Sequence, residues 1–407
     1  MKNMQKKLLA VLMLIVLSLS AALPAFADDR TNDTFYYGGT GQDTIYEATP
    51  LPNGNLLLNG YTQLGRNGRE QVSGSPRQTR AWLLCLAPDG SILWEALDET
   101  EGTTRYVAPV ITSGGDIAVL FYNSPSQVNT EIAIHLYSME GQLKEKVALP
   151  LEVGLVEGVM ADGYVFYDWE KGYMAADLTG TVRRLEIGEE ERITGSGVAD
   201  MIPYGDGWII AGRRRNEPLE ENLVGFADKK FTFSYSIVHF DRDGKTVWRY
   251  DAPEDALLYN PVLADDGSIL CNWHKWNEET GEVTESHMIC LDGNGQLQWQ
   301  VDIPSKVCGN FAPVEDGFVF YRKWMEKTYT FIEFTLIGRD GQVKQQWQAE
   351  KRREMLYGAE MFAWNGEAWF HADAEREKNR INDRQTDLEL EDCSLIRVID
   401  CQPVAAQ

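Results

Sequence analysis

The sequence predicts an all-β protein: a seven-bladed β-propeller of four-stranded antiparallel blades, closed by its N-terminal strand pairing in the last blade. Three observations carry this. A strand–turn–strand motif recurs seven times. A second hairpin recurs between those copies, so that each repeat holds four short strands, here called a to d. No segment shows a sustained 3.6-residue apolar period with caps, which leaves little room for helix.

The chain has 407 residues and opens with the charged stretch Met1 to Lys7, the apolar run Leu8 to Leu17 and the small-residue end Ala25-Phe26-Ala27. That order predicts a signal peptide over residues 1–27, and a mature domain over 28–407 that is secreted or held in the cell envelope. No Cys follows the cleavage site to take a lipid, and no later apolar run is long enough to enter a membrane. The formal net charge is −24, and cleavage removes Lys2, Lys6 and Lys7 and no acid. A surface this acidic repels nucleic acid and anionic lipid alike.

The first hairpin turns at Gly54, Gly115, Gly163, Gly207, Gly267, Gly317 and Gly366. The second turns at Gly90, Gly141, Gly180, Gly244, Gly295 and Gly341, and often runs into Trp, as in WLLCLAPDGSILW and MICLDGNGQLQW. Asp-Gly, Asn-Gly and Gly-Gly suit tight turns, and the flanking runs are rich in β-formers. The last repeat stops near Val398 without a strand d, and Thr34 to Tyr37 at the other end would supply it. Trp94, Trp248 and Trp299 are expected to pack the outer strands.

FYYGGTGQDTIYEATPLPNGNLLLNGYT and the DGxxxW hairpins resemble the repeats of secreted bacterial PQQ-like, quinoprotein-type propellers. The resemblance is repeat-deep and covers nearly all of the mature chain. It implies a non-catalytic member of that family, because the adjacent Cys-Cys pair of the quinoprotein dehydrogenases is missing and, among the second hairpins, their Thr-Gly turn survives only at Thr179-Gly180. No cofactor is expected.

The six Cys contain no C-x-x-C pair, so zinc and thioredoxin-like chemistry are not indicated. If Thr280-Gly281 is a two-residue turn, Cys271 falls opposite Cys290 at a distance compatible with a disulfide; the alternative, which Cys85 at the matching position of another repeat supports, is that these thiols are small core residues. The same register sets His274 opposite His287, a pair too small to make a metal site.

In such a propeller the a–b and c–d turns share one end and the b–c and d–a connections the other. The longest b–c connections, 63–79, 215–230 and 373–392, mark the second end as the binding face. Strand b brings to that face Tyr61, Tyr122, Tyr167 and Trp169, Arg213 and Arg214, Trp273 and His274, Tyr321 with Arg322, Lys323 and Trp324, and His371. The start of strand a brings Glu47, Glu157, Asp200, Asn260, Asn310 and Glu360 to the mouth of the central channel. Rings beside carboxylates and amides suit sugars.

The function expected is therefore a non-catalytic binding or scaffold protein, a monomer that recognises a glycan or a protein through this face. The alternative is an extracellular glycoside hydrolase or lyase using a pair of the channel carboxylates.

Overall fold

The computed structural model describes residues 34–37, 43–62, 79–100, 102–124, 130–150, 155–168, 171–188, 191, 193, 201–215, 233–277, 283–303, 311–326, 329–348, 355–375, 391–398 and 402–403. The predicted signal peptide lies outside them. None of the described helical segments is long and apolar enough to cross a membrane.

Strand β1 (Thr34–Tyr37) comes first in the chain. The first sheet then holds β2 (Asp43–Pro50), β3 (Leu56–Thr62), β4 (Arg80–Leu86) and β5 (Ile92–Leu97). The second holds β6 (Thr104–Ile111), β7 (Ile117–Asn123), β8 (Glu131–Tyr137) and β9 (Leu143–Ala148), and the third β10 (Leu155–Met160), β11 (Gly163–Asp168), β12 (Gly172–Asp177) and β13 (Val182–Arg184). The fourth is β14 (Met201–Tyr204), β15 (Gly207–Arg215), β16 (Phe233–Phe240) and β17 (Thr246–Asp251); the fifth is β18 (Ala256–Leu263), β19 (Ile269–Trp276), β20 (Val283–Leu291) and β21 (Leu297–Asp302). β22 (Phe311–Val314), β23 (Gly317–Glu326), β24 (Tyr329–Gly338) and β25 (Val343–Gln348) follow, and then β26 (Met355–Trp364), β27 (Glu367–Glu375), β28 (Glu391–Arg397) and β29 (Gln402–Pro403).

All pairings are antiparallel between neighbours, so the molecule is an all-β propeller of four-stranded blades. Two sheets depart from simple succession. β1 pairs with β28, Thr34 opposite Ile396 and Tyr37 opposite Cys393, and completes the sheet of β26 to β28. β29 pairs with the outer edge of β25, giving that sheet five strands where four are expected.

The first strand of each sheet packs beside the first strand of the next, so these strands surround the centre. The last strands lie outside, and there exposed and half-buried residues alternate or dominate, as along β9 and β17. The core lies between sheets and not within one. Leu57, Leu83, Tyr106 and Val119 join the first and second sheets; Leu270, Met288, Phe318 and Phe320 join the fifth to β22–β25; and Tyr37, Leu58, Trp82 and Trp364 join the sheet containing β1 to the first.

The c–d turns contain one left-handed residue each, the glycine. In DLTGT the backbone of Asp177 both donates to Thr181 O, at 3.1 Å, and accepts from Gly180, at 3.0 Å, while its carboxylate accepts from the amides of Thr179 and Thr181. This is a type I turn ending in a G1-type bulge, a longer loop than a two-residue hairpin, and the Asp completes it with an Asx turn.

The turn glycine is also a socket for the neighbouring sheet. A Cβ on Gly141 (φ 80°) would come within 2.5 Å of the Trp94 ring, whose Nε1 donates to Met139 O at 2.9 Å. Trp248 covers Gly295, Trp299 covers Gly341, Val147 covers Gly180 and Ile187 covers Gly244 in the same way. Phe35 of β1 covers Gly90, and the Tyr37 hydroxyl donates to Gly90 O at 2.7 Å. The recurrent Trp is thus a contact between sheets as well as outer-strand packing.

Register corrects the disulfide. Between β19 and β20, Cys271 faces Ile289 and Leu270 faces Cys290, one residue away from the predicted pairing. A one-residue shift moves every side chain to the opposite face. Cys271 therefore packs toward the fourth sheet, Cys290 shares a face with Leu270, and both are free buried thiols, as is Cys85. The same shift sets Trp273, not His274, opposite His287.

Candidate functional site

Around the centre the inner strands are bulged. The ladder slips between Ile45 and Glu47, Val107 and Val110, Val156 and Gly158, Tyr259 and Val262, and Tyr357 and Glu360. A bulge releases one or two residues from pairing and re-aims their side chains and amides. Ala108 (φ 54°) and Asn260 (φ 52°) take left-handed backbone there.

The consequence is clearest at Glu47. The amide of Ala108, freed from its ladder, donates to Glu47 Oε2 at 2.9 Å, and Asn59 Nδ2 donates to the same oxygen at 3.0 Å. Asn59 also donates to Tyr106 O, at 3.2 Å, and the Tyr164 hydroxyl donates to Ala108 O at 3.0 Å, so three sheets meet at this carboxyl. Burial pushes the Glu47 carboxyl up to about 7; the Asn59 hydrogen bond opposes this, the charge of Glu360 adds to it, and the Ala108 amide opposes it. Glu360 itself lies 3.5 Å from Nε2 of the buried His371, an ion-pair contact without hydrogen-bond geometry.

Of the predicted channel residues, Glu47 and Glu360 stand on the contacting inner strands β2 and β26, and the charge of Glu360 acts on Glu47. Glu157 is buried at its bulge, and Asn260 is half-buried at its own. Asp200 and Asn310 lie outside the described residues. Asn59, Ala108 and Tyr164 escape the prediction. Ala108 carries no chemical signal in its side chain, yet it stands seven residues before Gly115, the spacing that finds Glu47 before Gly54.

The predicted ligand face divides. Tyr122, Tyr167, Trp273, His274, Tyr321 and His371 are buried, which corrects their placement on the surface. Strand b is an inner strand of its sheet and both its faces pack on neighbours, so successive residues along it enter the core. Tyr122 lies under Arg105, Trp273 lies 4.2 Å from the His287 ring, and burial lowers the His274 imidazole below its ordinary range.

Arg213 is exposed, and Arg214 and Tyr61 are half-buried, Tyr61 edge-on to Tyr46 at 5.7 Å. Arg322 pairs with Glu333 at 2.9 Å and lies over the Trp324 ring, which stacks on Phe331 at 5.4 Å. Burial lowers the Lys323 ammonium. Trp169 and nearly all of the three long b–c connections lie outside the described residues.

The opposite end is stitched. Arg242 of a c–d turn meets Asp162 of the preceding sheet's a–b turn at 3.0 Å, and Arg339 meets Asp266 at 2.5 Å. An open recess of about 440 Å³ lies there, lined by Asp265, Val314, Glu315, Arg339, Ala363 and Gly366. The cations Arg242 and Arg339 at this end are thus engaged by the protein itself.

A second polar cluster lies between the first and second sheets. Tyr106 hydroxyl meets His135 Nδ1 at 2.9 Å and Tyr137 hydroxyl at 2.7 Å, and Lys146 donates to Asp98 at 2.7 Å. Burial, helped by Lys146 and opposed by Asp98, lowers the imidazole to about 4. Burial would raise the Asp98 carboxyl, but hydrogen bonds from Lys146 and Thr100 outweigh it and hold the group below the ordinary carboxylate value. Every member has a partner inside the protein, so this network fastens sheets. Among the described residues no group of His, Cys, Asp and Glu is arranged to hold a metal ion.

No protein-family model matches the chain, and no curated protein matches it. Among solved structures, a protein of unknown function from Bacteroides caccae is similar over 66% of this chain and 85% of its own, at 12% identity and a TM-score of 0.39. Drosophila Plexin A, solved in complex with Semaphorin 1b, is similar over 88% of each chain at 7% identity and a TM-score of 0.39. The propeller assignment rests on the strand order and packing described above.

Proposed function

We propose that this chain is a secreted, non-catalytic binding or scaffold protein of the PQQ-like repeat type, which takes a glycan or a protein on the end from which the b–c connections leave. In this reading the mature chain is a monomeric seven-bladed ring closed by β1. The cover of Phe35 over Gly90 and the Tyr37 hydrogen bond to the same turn favour that closure, because they repeat at the first sheet the contact Trp94 makes at the second.

One observation carries the choice of face. The half-buried Trp324, stacked on Phe331 with Arg322 over it, and the exposed Arg213 both lie at the end from which the b–c connections leave. A flat ring beside a guanidinium offers a sugar a stacking surface and donors, and offers a protein an anchor. Trp324→Ala and Arg213→Ala should each weaken binding at least about tenfold, as expected for contacts worth about 1.4 kcal/mol or more. The measurement is capture by glycan arrays and isolated cell-wall fractions with the mature chain. Capture that is unchanged in both variants would remove this face from consideration.

A further inference from the structure

We propose that the outer edge of β25 is a strand-addition site, which takes an extended, uncharged segment of a partner protein and which β29 guards. The site lies apart from the b–c end, and either reading can fail without the other.

Among the described residues β25 is the one outer strand to which a further strand is paired. β29 runs antiparallel to it, Trp347 opposite Pro403 and Gln348 opposite Gln402, and adds a fifth strand to a sheet of four. The edge of a sheet presents a row of amides and carbonyls to any chain that can lie along it, and here that pairing has begun. The guard is weak. Only two residues pair, and because Pro403 has no amide, Gln402 alone of the two can donate. Among the described residues nothing pairs with the outer side of Val343 to Gln346, and all four are exposed, Val343 by 60%.

The sequence separates this edge from most of the others. β9 carries Lys144, Glu145 and Lys146, β13 carries Arg183 and Arg184, and β17 carries Arg249 and Asp251. Charges of this kind keep an edge from pairing with another chain. β5 and β21 carry one acid each, Glu95 and Asp302, and no described strand lies on their outer sides. β25 reads VKQQWQ, and its one charge, Lys344, donates to Asp316 O in the a–b turn of its own sheet at 2.9 Å. Gln345 to Gln348 are therefore an uncharged run that includes the two residues already paired.

That run chooses the occupant. A charged segment would lose hydration here and meet no opposite charge, whereas an uncharged one is held by main-chain hydrogen bonds. Val343 and Trp347, four residues apart, lie on one face of the strand and offer apolar contact to the incoming side chains. The net charge of −24 acts against an acidic segment in particular.

The probe is a synthetic peptide of residues 399–407 carrying Cys401→Ser and a fluorophore, titrated by anisotropy against the intact mature chain and against a mature chain ending at 398. The shortened chain should bind it, and the intact chain at least about tenfold more weakly, because a tethered segment competes at high effective concentration. Hydrogen exchange should slow at residues 343–348 when the peptide is bound, and a peptide that also carries Gln402→Pro should bind at least about tenfold more weakly, having lost the donating amide. An intact chain with Gln402→Gly and Pro403→Gly loosens β29 without removing it; where the shortened chain does not fold, this variant should bind more tightly than the parent. No binding to either altered chain, equal affinity for altered and intact chains, or bound peptide that leaves exchange at 343–348 unchanged overturns the proposal. Exchange at 343–346 that is already slow in the intact chain and unmoved by excess peptide makes the chain's own residues the permanent occupant, and a shortened chain that dimerises in sedimentation makes a second copy the occupant; either result overturns it too. Glycan-array capture that persists after such a failure leaves the b–c reading standing.

Discussion

Gly141 and Gly115 have nearly the same backbone, φ 80° and 79°, but different surroundings: a Cβ at 141 meets the Trp94 ring and one at 115 meets nothing within 4 Å. Gly115→Ala should therefore cost only the left-handed backbone penalty of about 1–2 kcal/mol. Gly141→Ala adds displacement of Trp94 and should cost about 1–3 kcal/mol more. Urea unfolding of the two variants measures the difference, and equal losses would remove the socket reading of the c–d turn. The glycine is legible in the sequence as a turn signal. Its second duty is not, because the ring that fills it comes from another repeat.

Two buried groups make stability depend on pH in opposite senses. Glu47 is raised from 4.5 to about 7, so its contribution is full below pH 4.5 and is lost as pH rises through 7. His135 is lowered from 6.5 to about 4, so its contribution is full above pH 6.5 and is lost as pH falls through 4. Glu47→Gln removes the compensating half. Its melting temperature should fall more steeply than the parent's on acidification from pH 7 to 4.5, as followed by circular dichroism.

At the scale of the element, strands and turns are legible because apolar alternation and turn glycines are local. Register is not, since one residue in a connection or bulge changes every pairing beyond it. The fifth sheet shows this: a two-residue turn sets Cys271 against Cys290, whereas β19 and β20 pair one residue away, and the thiols face different neighbours. Burial then pushes the Cys85 and Cys290 thiols up to about 11, which leaves them weak nucleophiles. Under native conditions Cys85, Cys271 and Cys290 should resist alkylation. In denaturant without reductant all three should take the label, as read by peptide mass spectrometry, and protection of Cys271 and Cys290 together would restore the disulfide.

The same limit explains the ligand face. Counting from the turn glycine finds the height of a residue along strand b but not that both faces of the strand are covered there, so His371 and Trp273 fall among surface candidates although neighbouring sheets bury them. The channel acids fare better, because the counting that finds them follows the bulge. Glu47 and Glu360 are found this way, and the Ala108 amide that clamps Glu47 is found only in the folded chain.

At the scale of the molecule the repeat determines the architecture, since each sheet has two apolar faces and no sheet can bury both alone. The two ends of the chain are used differently. β1 enters the sheet of β26 to β28 and covers the Gly90 turn of the first sheet, while β29 leaves that sheet to line the edge of β25. The first use is legible as a missing strand d; the second is not, because Gln402-Pro403 is too short to carry a strand pattern.

The proposed seven-bladed ring is tested most directly by the melting temperature of a mature chain lacking residues 28–38, compared with the intact mature chain. Loss of β1 strips Tyr37 and Phe35 from two interfaces at once, so one cooperative transition should move down by ten degrees or more, or vanish, on the scale of several kcal/mol in core contacts. A shortened chain that melts within two degrees of the intact one, with the same cooperativity, would show that the first strand does not hold the ring together.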